Sequence, residues 1–304
     1  MVNLKINIAG IKMKNPVVLA SGTCGFGKEL ADIFDLNILG AIIVKGTTLL
    51  PRAGNKPPRV AETYFGMLNS IGLQNPGVAA VIKEKIPYLR SFNLPVIVNI
   101  SGNSKDEYAA LAKVLSRTEG VSGLEVNISC PNIKHKHAGL FCQSLRDIAE
   151  ITTAVKRVSK VPVFVKLSAE VSDFKQTVKT AERAGADGLS LINTLRGMAI
   201  DIKTRRPKIA NVIGGLSGPA IKPIGIRAVY EAYNSVKIPI IGMGGITGVE
   251  DAVEYMLAGA SAVAVGTATF YDPFASVKIA SGLKAYLERN KLSSVIKLTG
   301  KVTL

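Results

Sequence analysis

The sequence predicts an α/β protein of the (β/α)8 TIM-barrel class with an N-terminal β-hairpin, and three observations lead there. Short runs rich in Val, Ile and Leu alternate with stretches of helical period, eight such runs can be counted, and each ends in a small or hydrogen-bonding residue. Strands of nearly continuous β-branched residues are buried on both faces, which is what a parallel sheet covered by helices requires. Eight strands alternating with helices then close into a barrel.

In chain order, residues 4–9 and 11–14 flank Gly10 and read as a hairpin within residues 1–15, a lid on one end of the fold. The eight runs follow at 17–20, 41–44, 96–99, 124–126, 163–165, 188–192, 240–242 and 262–265. Between them, Pro76 suits the first turn of a helix running towards Tyr88. Thr247 or Gly248 starts a helix through Met256 that Gly259 stops. Two connections are long, 46–75 and 194–222, and long connections in a compact barrel are site-building or mobile. Residues 290–304 read as a short final element, so 1–304 forms a single domain. A doubly wound sheet is the competing architecture. Its dinucleotide fingerprint is only partly matched by Gly242-Met243-Gly244-Gly245-Ile246-Thr247, with no acidic residue about twenty positions on, so this chain is not expected to bind nicotinamide itself.

The composition sets bounds. With 304 residues, 47% of them hydrophobic, the chain can bury a large core, yet no window has the apolar length of a membrane span. The start, Met1-Val2-Asn3-Leu4-Lys5-Ile6-Asn7, has neither a signal-peptide core nor a transit-peptide pattern, so a cytoplasmic location is expected. Cys24, Cys130 and Cys142 make an odd number, which argues against a disulfide framework. The net charge of +16 favours anionic ligands or an acidic partner. Its Lys and Arg are scattered beside acids, as in Lys83-Glu84-Lys85, which describes a solvated surface better than a nucleic-acid face.

In a barrel of this kind the ligand site forms at the carboxyl ends of the strands. Reading off what each run delivers there gives Ser21, Lys45, Asn99, Asn127, Lys166, Asn193-Thr194, Gly244-Gly245 and Gly266-Thr267. One such ending is ordinary turn chemistry; eight on one face describe a site. Lys45 and Lys166 would stabilise negative charge on a ring or a carboxylate, and the three amides suit a flat heterocycle with alternating carbonyl and NH groups. Glycine endings before helices offer backbone NH groups to a phosphate. A planar cofactor bearing a phosphate follows, with FMN favoured and pyridoxal phosphate on a Schiff-base lysine as the rival. The fourth run leads into Asn127-Ile128-Ser129-Cys130-Pro131-Asn132, where Pro131 stops ladder pairing and leaves the Cys130 thiol on a loop.

These residues also carry a resemblance. The chain resembles the dihydroorotate dehydrogenases, and among them the soluble, NAD-linked class 1B type with a cysteine base. The likeness runs from Asn15-Pro16-Val17-Val18-Leu19-Ala20-Ser21-Gly22 to Ala264-Val265-Gly266-Thr267. Its most specific stretches are Gly66-Met67-Leu68-Asn69-Ser70-Ile71-Gly72-Leu73-Gln74-Asn75-Pro76-Gly77 and Asn127-Ile128-Ser129-Cys130-Pro131-Asn132. Asn193-Thr194 with Gly197-Met198-Ala199-Ile200-Asp201, and Gly214-Gly215-Leu216-Ser217-Gly218-Pro219-Ala220, complete the set.

The resemblance implies oxidation of dihydroorotate to orotate in pyrimidine biosynthesis, with FMN at the barrel mouth. By that analogy Cys130 removes the C5 proton while hydride leaves C6 for flavin N5. Lys45 reaches both substrate and flavin, and Asn69, Ser70, Ile71, Gly72, Leu73, Asn127, Asn193 and Thr194 match substrate positions. Ser21, Gly46, Asn99, Asn127, Lys166, Ile192, Gly218, Gly244, Gly245, Gly266 and Thr267 match FMN positions. It further implies a homodimer within a heterotetramer, whose second subunit carries FAD and a 2Fe–2S cluster and passes electrons to NAD. Three cysteines are too few for such a cluster beside a catalytic thiol.

The stretch His135-Lys136-His137-Ala138-Gly139-Leu140-Phe141-Cys142 departs from the glycine-rich loop usual in the family and reads as a lid. Cys130-x4-His135-x-His137 is no standard zinc spacing, so no metal is expected. The alternatives are a fumarate-linked class 1A enzyme, a tRNA dihydrouridine synthase and an inactive flavin scaffold. The synthase would need an RNA-binding domain beyond Thr267 and lacks the 69–77 stretch. The membrane type has an N-terminal extension and a serine base, where this chain starts close to its first strand and has Cys130.

Overall fold

A closed barrel of eight parallel strands forms the centre of the molecule, which a computed structural model describes over residues 2–128 and 144–303. A hairpin comes first, β1 (Ile6–Ile8) paired antiparallel with β2 (Ile11–Met13). The barrel strands are β3 (Val17–Leu19), β4 (Ala41–Thr47), β7 (Val96–Ile100), β8 (Val121–Asn127), β9 (Val163–Leu167), β10 (Gly188–Leu191), β15 (Ile240–Met243) and β16 (Ala262–Val265). Each pairs in parallel with its predecessor, and β16 closes on β3. Every predicted run coincides with one of these strands to within a few residues. Their residues are almost wholly buried, as the β-branched composition demands.

Amphipathic helices cover the outside. In Leu145–Val158 the buried residues Ile148, Ile151, Thr152 and Val155 recur at three- and four-residue spacing, so one stripe faces the sheet. Ser104, Ser144 and Asp173 each cap a helix by accepting a backbone N–H three residues on. The helix Val249–Ala258 starts after Gly248 and stops at Gly259, as predicted. Pro76 does not open its helix. That helix begins at Val78 behind Gly77, and its middle, Val81–Lys85, relaxes into a π turn just before Pro87, which has no N–H to donate into a regular helix.

The hairpin seals the floor of the barrel. Ile11 packs against Gly123 near the start of β8, where a Cβ on the glycine would lie 3.0 Å from Ile11 Cδ1. The hairpin, predicted as a lid on one end, therefore sits opposite the carboxyl ends of the strands.

The two long connections are neither loose nor independent. The first contains β5 (Val60–Thr63) and β6 (Gly66–Asn69); the second contains β11 (Leu195–Gly197), the short pair β12 (Ile200–Asp201) and β13 (Arg206–Pro207), and β14 (Gly214–Ser217). They combine into one antiparallel sheet ordered β11-β14-β6-β5, with Asn69 opposite Gly215 and Met67 opposite Ser217. Among the described residues, no helix is long and apolar enough to cross a membrane.

Candidate active site

A cleft opens at the carboxyl ends of the barrel strands, and all eight strands contribute to it. Its lining includes Ser21 after β3, Lys45 and Gly46 in β4, Asn99 in β7, Asn127 at the end of β8 and Lys166 in β9. Ile192, Asn193 and Thr194 follow β10, Gly244 and Gly245 follow β15, and Gly266 and Thr267 follow β16. The accessory sheet and the segment after β6 form a wall with Met67, Asn69, Ile71, Gly72, Leu73 and Gly218.

Local geometry explains how these side chains arrive. Val44 pairs with Val98 and Thr47 with Ile100, so Lys45 and Gly46 together oppose Asn99. This bulge re-aims Lys45 at the strand end, a device common beside active sites. Gly46 is required by the same crowding, since a Cβ there would stand 2.9 Å from Asn99 Oδ1. Tyr108 donates its hydroxyl to the Asn127 carbonyl at 2.7 Å and pins the end of β8. Asn193 Nδ2 donates to Asn127 Oδ1 at 3.3 Å, and Asn69 Nδ2 donates to the Gly215 carbonyl at 3.2 Å. Gly215 has no Cβ because Thr194 Oγ1 would lie 2.2 Å from it.

Beneath the cleft lies a buried polar network. Lys166 Nζ donates to Ser21 Oγ at 3.1 Å and to Glu125 Oε1 at 3.4 Å; Ser21 Oγ donates to the same Glu125 oxygen at 2.9 Å, and Asn99 Nδ2 donates to it at 2.5 Å. Glu125 was not singled out from the sequence, although a lone acid inside the run Gly123-Leu124-Glu125-Val126 is the signal that marks it.

Burial, followed by the nearby Arg59 charge, holds the Lys45 pKa below the usual lysine value. Of the three thiols, only Cys24 lies among the described residues. Cys24 is buried with its Sγ 3.2 Å from the Ile43 carbonyl, and burial pushes its pKa up to about 12, so at neutral pH it is a protonated packing group. Cys130, Cys142, His135 and His137 lie outside the described residues. Among the described residues no group of acids, histidines and cysteines could hold a metal ion.

Ser70 is the one described candidate whose side chain does not line the cleft. Backbone alternation turns it inward while Asn69 and Ile71 face the opening, and it is fully buried, its N–H donating to the Arg59 carbonyl at 2.7 Å. Sequence reasoning also missed Val60, Ile221, Met243 and Phe270 in the lining. Phe270 belongs to the short helix Ala268–Tyr271, whose position after the last barrel strand is legible only once the barrel is built.

Cations, amides and open glycine backbone gathered at the rim of a (β/α)8 barrel define an enzyme class that binds a flat anionic or phosphorylated ligand at its strand ends. Comparison with known proteins narrows the class. The family profile described as Dihydroorotate dehydrogenase matches residues 3–287. The chain is 51% identical over 300 residues to the "Dihydroorotate dehydrogenase B (NAD(+)), catalytic subunit" of Thermoanaerobacter pseudethanolicus, covering 99% of each chain. It is 52% identical over 303 residues to the protein of that name from Alkaliphilus metalliredigens, covering 99% of each chain. For the one from Caldicellulosiruptor bescii the identity is 50% over 302 residues, covering 99% of this chain and 100% of the other. The chain belongs to the dihydroorotate dehydrogenase family.

Proposed function

We propose that this chain oxidises dihydroorotate to orotate in pyrimidine biosynthesis, as the FMN-dependent catalytic subunit of an NAD-linked enzyme. The observation that carries the reading is the convergence of two lysines, four amides and a glycine-lined backbone on one cleft, in a chain whose relatives over nearly full length bear that name.

The residues present fit FMN. A Cβ at Gly22 would meet no protein atom within 4 Å and one at Gly266 would come no closer than 3.5 Å, so the backbone is left open to a ligand on this side. Asn99 Oδ1 is buried without a protein partner, an acceptor suited to a ring N–H. Gly244, Gly245, Gly266 and Thr267, ahead of the helices Val249–Ala258 and Ala268–Tyr271, form the loops where this fold holds phosphate. Gly218 and Ile192 would flank the ring, and Ser21, Asn99, Gly46 and Lys166 would hold its polar edge.

Bound FMN would supply the hydride acceptor for the hydrogen at substrate C6. The chain's own residues do the rest. Asn69, Asn127, Asn193 and Thr194 would orient the substrate amides and carboxylate, with Ile71, Gly72 and Leu73 closing around them and Ser70 spacing the strand from behind. Lys45, which lines the cleft, would face both ligands and offset negative charge. Cys130, three residues after Asn127 in the sequence, would take the C5 proton. A thiol with a pKa of about 8.5 is matched to that task at mildly alkaline pH.

The naming of the relatives as a catalytic subunit supports a partner subunit. We assign that partner the FAD and 2Fe–2S groups that carry electrons to NAD, docked on a dimer of this chain. Anaerobic addition of dihydroorotate to the purified yellow protein should bleach its flavin band, and a band that persists would overturn the assignment. Cys130→Ala should retain the flavin and lower the bleaching rate roughly 10²–10⁴-fold, the range of one general base.

A further inference from the structure

Glu125 is an acid that the chemistry above does not use, and it stands directly under the cleft. It lies in β8 two residues before Asn127 and is completely inaccessible to solvent. Its Oε1 gathers Asn99, Ser21 and Lys166, while its Oε2 is buried with no hydrogen-bond partner. Barrel interiors are normally filled by branched aliphatic side chains, and a buried ion pair is commonly no more stabilising than hydrocarbon of the same volume. Stability therefore gives no reason for an acid here. Position does: the carboxylate joins three cleft-lining groups delivered by three different strands.

We propose that Glu125 is a positioning residue for the cofactor, which fixes the Lys166 ammonium at the cleft floor and balances its charge. This rests on the reading of the cleft as an FMN site. Reduction adds negative charge to a flavin, so an unopposed ammonium beside it favours the reduced form. A carboxylate 3.4 Å from that ammonium offsets much of the effect, and neither charge is well screened, since the lysine side chain is 7% exposed and the acid 0%. Ser21 and Asn99 are oriented by the same oxygen, so the acid also fixes which way their remaining polar atoms face.

The test is an anaerobic, dye-coupled potential titration of FMN in the wild-type holoprotein and in Glu125→Gln and Glu125→Asp. Glu125→Gln preserves shape and removes charge. It should keep FMN and shift the equilibrium towards reduced FMN about tenfold, equal to about +30 mV for a two-electron couple. Glu125→Asp, which withdraws the charge by one methylene, should fall between the two. A Glu125→Gln holoprotein within twofold of wild type overturns the proposal, because a purely structural acid would change retention of FMN without moving its potential. If Glu125→Gln does not fold, Glu125→Asp is read alone: a shift towards the reduced form supports the proposal and none overturns it. Wild-type protein that purifies without a flavin band would instead defeat the FMN reading itself.

Discussion

The barrel and the antiparallel sheet over its mouth serve one cleft under opposite physical regimes. Barrel strands such as β9 are buried along their whole length, whereas β5 alternates exposed and half-buried residues and presents Val60 to solvent. The barrel carries most of the groups proposed for the cofactor, Gly218 after β14 excepted, together with Lys45 and Asn127, on strands that cannot shift without disturbing the core. The sheet carries Asn69 and supports Thr194, groups proposed for the substrate, on the largely buried strands β6 and β14, with β5 as its solvated edge. If the proposed assignments hold, the expected division is a cofactor side built mainly on fully buried barrel strands and a substrate side shared with a sheet that has one solvated edge.

The contrast can be broken most forcefully at Phe164. This barrel residue is fully buried against Gly188, whose missing Cβ leaves room for the ring. Phe164→Ala should cost about 3–5 kcal/mol in urea unfolding, and a loss below about 1 kcal/mol would mean the barrel is less tightly packed than its burial states. Asn69→Ala probes the sheet. It should raise KM for dihydroorotate roughly tenfold to a hundredfold, equivalent to about 1–3 kcal/mol, while the flavin spectrum and potential stay unchanged. A change in potential would place Asn69 on the cofactor side of the division. At the outer edge, Val60→Thr should alter unfolding free energy by no more than about 0.5 kcal/mol, which thermal melts can check.

The barrel was legible because burial on both faces leaves a blunt mark: runs such as Val96-Ile97-Val98 have no other economical reading. The strand-end residues followed from the fold, since the carboxyl ends are where a barrel builds its site. The accessory strands were not legible. Gly66-Met67-Leu68-Asn69 and Gly214-Gly215-Leu216-Ser217 are glycine-rich, short and apolar in patches; besides β5 and β11, each takes the other as a partner across a distance in sequence that no local pattern encodes. Glu125 escaped notice for a related reason, because an acid in a strand ordinarily marks a solvated face and only closure of the barrel turns this one inward. Ser70 illustrates the limit of reading a motif as a block: its neighbours face the opening and it does not, a distinction set by the pleat.

The pairing of β6 with β14 has a practical corollary for redesign. Because the register sets Asn69 against Gly215, a slip of one position in either partner would turn every side chain of the slipped strand to the wrong side of the wall. Transplanting one of the two connections alone from a homologue would therefore produce a mismatched seam, so the two segments have to be exchanged together.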